Sequence, residues 1–335
     1  MKNKILLIMM MIMASIFSCM PPGDERPEQT KPRPKDGPPL VKVIAPQFIA
    51  DSAFAFIEKQ VSFGPRVPNT KAHAQTADWL MKKLESYGLN VIVQEAKLKA
   101  FDNTILNAKN IIAEHNPDAK NRILLMAHWD TRPFADQDTK ERTKPIDGAN
   151  DGASGVGVLL EIARLISQQP PNVGIDIILF DAEDYGQPEG TMIPQQSDTY
   201  ALGSQHWSKN PHRPGYKPRY GILLDMVGAE GAIFTKEGIS MQYAPHVVNK
   251  VWGIAREIGF GEYFIDKKTG YITDDHYYVN TIIGIPSIDI IQYDPETASK
   301  FGHYWHTHLD NMDIIDKNTL KAVGQVVLET IYREN

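Results

Sequence analysis

Arg122-Ile-Leu-Leu-Met-Ala-His128-Trp-Asp130 is the stretch on which the fold turns. Ile123 to Ala127 is apolar without alternation, the pattern of a strand buried on both faces. A histidine and an aspartate follow at once, where that strand must end. The same grammar recurs downstream. Ile175-Asp-Ile-Ile-Leu-Phe180 runs into Asp181-Ala-Glu183-Asp184, Tyr220-Gly-Ile-Leu-Leu224 runs into Asp225, and Ile285 to Ile291 is a fourth apolar run. Helical periodicity fills the intervals at Ser154 to Ile166, Val247 to Ile258 and Lys317 to Tyr332. Upstream, Ile49 to Val61 and Lys71 to Tyr87 read as amphipathic helices, the second closed by Gly88. Val91-Ile-Val and Asn110 to Glu114 read as short strands flanking a turn. Strands alternating with helices at this spacing predict an α/β domain: a mostly parallel, twisted central sheet with helices on both faces.

Composition narrows the function classes. The 335 residues are 42% hydrophobic, enough to build a core and against global disorder. Lys and Arg number 35 against 41 Asp and Glu, a formal net charge of -6, and no basic run is interleaved with aromatics. That argues against a nucleic-acid partner. Cys19 is the only cysteine, which excludes an intramolecular disulfide and a cysteine-rich zinc site. It closes a segment with Lys2 and Lys4 ahead of an apolar run, Ile5 to Phe17, too short to span a bilayer comfortably. Ile16-Phe17-Ser18-Cys19 reads as a loose bacterial lipobox, with a plain secretory signal as the alternative. The expected organisation is a lipoprotein signal peptide over 1–18, a lipidated Cys19 with a Pro-rich linker over 19–46, and a single catalytic domain over 47–335. The expected location is periplasmic, lipid-anchored to a bacterial membrane. Met20 rather than aspartate after Cys19 favours the outer membrane. A monomer is the expected state.

The chemistry-bearing residues collect just past the carboxyl ends of the apolar runs, the rim where open α/β sheets bind ligands. His128 and Asp130, Asp181 to Asp184, and Asp225 all fall there. Asp147-Gly-Ala-Asn-Asp151-Gly-Ala-Ser-Gly155 is a glycine-rich turn opening a helix, which brings Asp151 to the same edge. Trp305-His306-Thr follows the fourth run. Each has an ordinary reading: Asp151 as a helix cap, Glu183-Asp184 as a solvated turn, His306 as a core residue. Their joint occurrence carries the inference. Carboxylates converging without a cation would repel one another, and mixed Asp/Glu/His ligation with an open position fits catalytic zinc.

In order, His128-x-Asp130, Gly148-Ala-Asn-Asp151-Gly-Ala-Ser-Gly, Phe180-Asp-Ala-Glu183-Asp184 and Trp305-His306-Thr resemble the motifs of the zinc aminopeptidase-like fold, from about Phe48 to the C-terminus. Within that fold, Thr273-Asp274-Asp275-His276, Trp305, Phe301 and Tyr200-Ala-Leu-Gly-Ser-Gln-His206 resemble the glutaminyl cyclases, of a bacterial type. The resemblance implies one Zn2+ per chain held by Asp151, Asp184 and His306. It implies Glu183 as the proton carrier, Asp274 at the leaving nitrogen, Asp225 in support, and Trp305 and Phe301 as substrate-binding walls. The implied reaction converts N-terminal Gln of peptides and exported proteins to pyroglutamate, releasing ammonia. The chain departs from the animal cyclases in carrying Glu183-Asp184 for Glu-Glu, Thr273 for glutamine, and a longer 185–198 segment. A di-zinc aminopeptidase using His128, Asp151, Asp184, Asp225 and His306 is the competing enzyme. An inactive peptide-binding lipoprotein is the competing class. Asp274-Asp275 also reads as an ordinary helix-start pair. His303 and His308 read as surface or supporting residues.

Overall fold

The computed structural model describes residues 43–334 apart from 189–191 and 193, so Cys19 and most of the Pro-rich segment lie outside the described residues. Two helices come first, α1 (Ala50–Val61) and α2 (Lys71–Ser86), followed by β1 (Asn90–Lys99), β2 (Ile105–His115) and β3 (Arg122–His128). Then come α3 (Ala153–Gln168), β4 (Gly174–Phe180), α4 (Leu202–Lys209), β5 (Gly221–Asp225) and β6 (Phe234–Lys236). The chain ends with α5 (Gly238–Tyr243), α6 (Pro245–Glu257), β7 (Phe264–Lys268), α7 (Asp275–Tyr278), β8 (Ser287–Ile291) and α8 (Lys317–Tyr332).

Six strands form the main sheet in the order β1-β2-β4-β3-β5-β8. The four apolar runs pair in parallel, with His128 opposite Phe180, Leu124 opposite Gly221 and Asp225 opposite Ile291. β1 and β2 add an antiparallel flank. Every residue of β3 and β4 is buried, as their largely apolar runs require, and the two charged exceptions, Arg122 and Asp176, pair with each other. The pleat then sorts alternate residues to two cores. Ile123, Leu125 and Ala127 pack with α1, α3, α6 and α8, whereas Leu124 and Met126 pack with Trp207 of α4 and with Val279. Gly155 lets α3 lie directly on β5, because a Cβ there would stand 2.2 Å from the Leu224 carbonyl oxygen.

The structure departs from the sequence reading chiefly at the flank. β1 and β2 run for 10 and 11 residues rather than as short pieces. Glu95, Lys97 and Lys99 alternate outward along the edge strand, where charge blunts pairing with other chains and hides strand character in the sequence. A second, two-stranded sheet (β6 and β7) and the short α4 and α5 carry too few residues to show a period. Among the described residues no helix is long and apolar enough to cross a membrane.

Candidate active site

The chain passes from β3 to β4 on one side and later to β5 on the other, which opens a crevice at the carboxyl ends of those strands. Three backbone devices furnish it. After β4, the Asp181 carboxylate accepts from His73 Nε2 at 2.8 Å, Lys109 N at 2.6 Å and Ala182 N at 2.8 Å. Asp130 accepts from Glu183 N at 3.0 Å and Asp184 N at 3.2 Å, so two buried aspartates hold the turn that presents the next two acids. Ahead of α3, Arg66 donates to the carbonyls of Asp147 and Gly148, while Asp310 accepts from Asn150 N at 2.7 Å and Asp151 N at 3.0 Å. Gly152 completes that turn at φ 93°, and a Cβ on it would meet the Asp130 carbonyl at 2.7 Å. Ala182, Met226 and His306 also adopt positive φ, a conformation the surrounding hydrogen bonds must hold in non-glycine residues.

Asp151, Asp184 and His306 come together, with ligand atoms all within 4.8 Å of one another. His306 Nε2 lies 3.4 Å from Asp184 Oδ1 and 3.8 Å from Asp151 Oδ2. Donors about 2 Å from a tetrahedral ion stand roughly 3.3 Å apart, so this spacing suits zinc. Asp184 Oδ2 is buried without a hydrogen-bond partner, an orphaned acceptor that a bound cation would satisfy. Behind the imidazole, Nδ1 lies 3.2 Å from Asp136 Oδ1. Asp136 is held in turn by Arg132, whose Nη1 also donates to the Asp184 carbonyl at 2.9 Å. A carboxylate behind a ligand histidine fixes its ring and tautomer.

A second trio, His128, Asp151 and Asp225, shares Asp151 with the first. Here His128 Nε2 sits between Asp151 Oδ1 at 3.1 Å and Asp225 Oδ1 at 3.2 Å. Burial opposes the charged imidazole, but its carboxylate hydrogen bonds outweigh that and push its pKa well up. The same proton favours ionised Asp151, whose carboxyl falls below the ordinary range although burial opposes this. Burial pushes Asp225 up to about 7 against the His128 hydrogen bond.

Glu183 stands half-buried at the mouth. Burial pushes its carboxyl well above the usual range; His128 opposes this, while Asp184, Asp274 and Asp275 add to it. A carboxyl raised in this way is a stronger proton acceptor than an ordinary glutamate. Asp274 combines both sequence readings. It is the N-cap of α7, accepting from Asp275 N, and it faces the same pocket as Glu183. That pocket encloses about 390 Å³ and reaches from Asp151, Asp184 and His306 to an aromatic wall of Phe301 and Trp305. Trp305 stacks on His306 with ring centroids 3.7 Å apart, and Phe301 lies 5.0 Å from Trp305.

All eight residues predicted from sequence thus face one cavity. Sequence reading missed their supports: Arg66, His73, Arg132, Asp136 and Asp310. Arg132 and Asp136 occupy a loop without periodicity, four residues apart, and only the fold shows what they back. His303 is exposed and His308 pairs with Asp138 at 2.8 Å, away from the trio as expected.

Comparison with known proteins adds three findings. Residues 110–331 match the model of peptidase family M28. Among solved structures, the chain is 56% identical to a Tannerella forsythia glutaminyl cyclase, with a TM-score of 0.85 over 87% of this chain and 100% of that one. It is 55% identical to the Bacteroides thetaiotaomicron glutaminyl cyclase solved with N-acetylhistamine, with a TM-score of 0.86 and the same coverage. A leucine aminopeptidase precursor of B. thetaiotaomicron is 54% identical, with a TM-score of 0.85 over 88% of this chain and 100% of that one. Curated relatives are matched over less of their own length. The chain spans 46% of an aminopeptidase of Bacillus subtilis (29% identical over 70% of this chain) and 64% of the bovine glutaminyl-peptide cyclotransferase (26% identical over 65%).

Proposed function

Because the chain belongs to peptidase family M28, we propose that it is the family's other kind of enzyme: a zinc-dependent glutaminyl-peptide cyclotransferase that closes N-terminal Gln to pyroglutamate. The observation that carries the reading is the placement of Glu183 and Asp274 across one small pocket from Asp151, Asp184 and His306, with Trp305 and Phe301 as its wall. A zinc ion held by Asp151, Asp184 and His306 would supply Lewis-acid polarisation of the γ-carbonyl. The chain's own residues do the rest. Phe301 and Trp305 hold the glutamine side chain and exclude bulk water, which disfavours hydrolysis. Glu183 accepts a proton from the attacking α-amine and returns it to the departing amide nitrogen. Asp274 accepts a hydrogen bond from that nitrogen as the Cδ–N bond breaks. Asp225, tied to His128, keeps its carboxyl beside them. The α-nitrogen gains a bond to Cδ, the amide nitrogen leaves as ammonia, and no other reactant is consumed.

The test is mass spectrometry of a Gln-initiated peptide. The expected product lacks one ammonia, and formation stops with a heterocyclic chelator or with Glu183→Gln. Unchanged peptide, or loss insensitive to both treatments, sinks the proposal. The aminopeptidase reading is favoured by the second trio, His128, Asp151 and Asp225. Two tightly bound zinc ions per chain with release of free N-terminal amino acids would establish it instead.

Location is part of the same proposal. The basic start, the apolar run and Ser18-Cys19 support lipidation at Cys19, with the Pro-rich 21–46 segment as spacer. The enzyme would then meet N-termini exposed when exported proteins lose their signals. Detergent phase partitioning tests this: wild type is expected in the detergent phase and Cys19→Ser in the aqueous phase, with no difference counting against lipidation. Sedimentation should return a monomer.

A further inference from the structure

Asp289 of β8 has no solvent exposure, and neither of its carboxyl oxygens is met by an N–H or hydroxyl of the described residues. Its company is an acid and a histidine. One oxygen of Asp289, one of Asp274 and a ring nitrogen of His276 lie within 4.8 Å of one another. His276 does not answer for the buried acid: its Nε2 is engaged by Glu237 Oε2 at 3.1 Å, and its Nδ1 stands 3.8 Å from Asp289 Oδ2, beyond hydrogen-bond distance. Asp274 spends Oδ1 on the Asp275 N–H and keeps a buried Oδ2 without a partner. Two carboxyl groups therefore face each other with spare oxygens, and among the described residues no lysine or arginine pairs with either.

Both cannot ionise at that separation in a dry interior, and a single proton shared between them removes the conflict and satisfies the orphaned oxygens. The charged groups around the pair divide between its two ends: His276 and His128 favour ionised Asp274, while the acids packed around β8 favour neutral Asp289. Burial raises Asp289 most, and Asp274, Asp225 at the end of β5 and Glu237 ahead of α5 add to it. Asp275, at the start of α7, adds a further buried acid beside Asp274. Asp289 is the better holder of the proton, because Asp274 borders the pocket and its charge is stabilised by a backbone N–H.

We propose that Asp289 is a positioning residue kept as the neutral acid, its O–H donating to the free oxygen of Asp274 and fixing that carboxylate toward the pocket. The proposal rests on the reading of Asp274 as the acceptor for the leaving amide nitrogen. It gives a sheet residue with no access to substrate a place in the reaction: it keeps Asp274 ionised, oriented and unable to swing away.

The experiment compares Asp289→Asn, which keeps a donor of the same size, with Asp289→Leu, which has none. Infrared difference spectra of the zinc-loaded wild type should contain the carbonyl stretch of a buried protonated carboxyl group that Asp289→Asn lacks. On a Gln-initiated peptide, Asp289→Asn should keep kcat within a few-fold. Asp289→Leu should lose about 100-fold in kcat with KM little changed, and the acid limb of its pH profile should move. An unchanged infrared band in Asp289→Asn, equal damage in both variants, or a second zinc ion lost with Asp289→Asn would overturn the proposal. If Asp289→Leu does not fold, the infrared band and Asp289→Asn decide. If wild type fails to cyclise the peptide, the functional reading falls, while the infrared result still decides where the proton resides.

Discussion

Two histidine-centred trios share Asp151, and they differ in what stands behind the imidazole. His306 points Nε2 at Asp151 and Asp184, and its Nδ1 is backed by Asp136 and Arg132. His128 has its Nε2 occupied between Asp151 and Asp225, and its Nδ1 is 3.6 Å from Asp130, which is committed to the backbone of Glu183 and Asp184. The first imidazole is oriented from behind and leaves buried Asp184 Oδ2 unfilled; the second already sits inside a carboxylate cage. Identical ligand chemistry thus serves two ends. On the proposed function, the His306 trio would hold the ion, whereas the His128 trio would neutralise acids and steady Asp225 beside the reacting groups.

The sharpest way to break that contrast is His306→Ala. Zinc content measured by emission spectrometry should fall from one per chain to none, and cyclisation by roughly 10³-fold or more. Retained zinc would assign the ion to the other trio. A histidine–carboxylate pair with no part in either trio provides the reference. Glu237 accepts from His276 and from the N–H groups of Ile239, Ser240 and Ile272. Burial opposes its ionisation, but the His276 hydrogen bond and the backbone donors win, taking the carboxyl from 4.5 to about 2. A depressed pKa contributes stability above the unfolded value that is lost as pH falls through the folded one. The contribution, ~3 kcal/mol, should be present above about pH 4.5 and gone near pH 2, and Glu237→Gln should flatten that part of the denaturation profile. An unchanged slope would show that such pairs contribute little here.

Asp136→Asn tests the backing of His306 directly. Zinc affinity by competition with a chelator should weaken about 10- to 100-fold, with the folded state retained. Equal affinity would remove the distinction drawn between the imidazoles. The smallest effect is expected from His128→Ala: zinc should remain at one per chain while kcat drops about tenfold through a displaced Asp225. A fall from two zinc ions to one would instead mark the second trio as a metal site.

The residues that touch the pocket were legible in the sequence because chemistry and position coincide there. Each follows an apolar run or opens a helix, so Asp151, Glu183, Asp184 and Asp225 fall on one rim by pattern alone, with His128 just behind them. Their supports were not. Arg132 and Asp136 are ordinary charged residues in an irregular loop, and Asp310 is one aspartate among many until its carboxylate is seen on the backbone of Asn150 and Asp151. The fold divides in the same way. Buried strands were evident from continuous apolar runs, whereas the outer half of β1 was masked by Glu95, Lys97 and Lys99 on its solvent side. Asp289 was hidden most completely, inside an apolar stretch that any pattern assigns to the core.

The turn around Ala182 has a consequence for metal exchange. Its unfavourable backbone geometry is maintained by Asp130, Asp181 and His73, none of which belongs to the zinc trio. The ligand cradle is therefore assembled during folding rather than moulded by the ion. A chelated sample should remain a folded, receptive apoprotein, and refilling it should be a docking event limited by ion dehydration and access, with no slow conformational search.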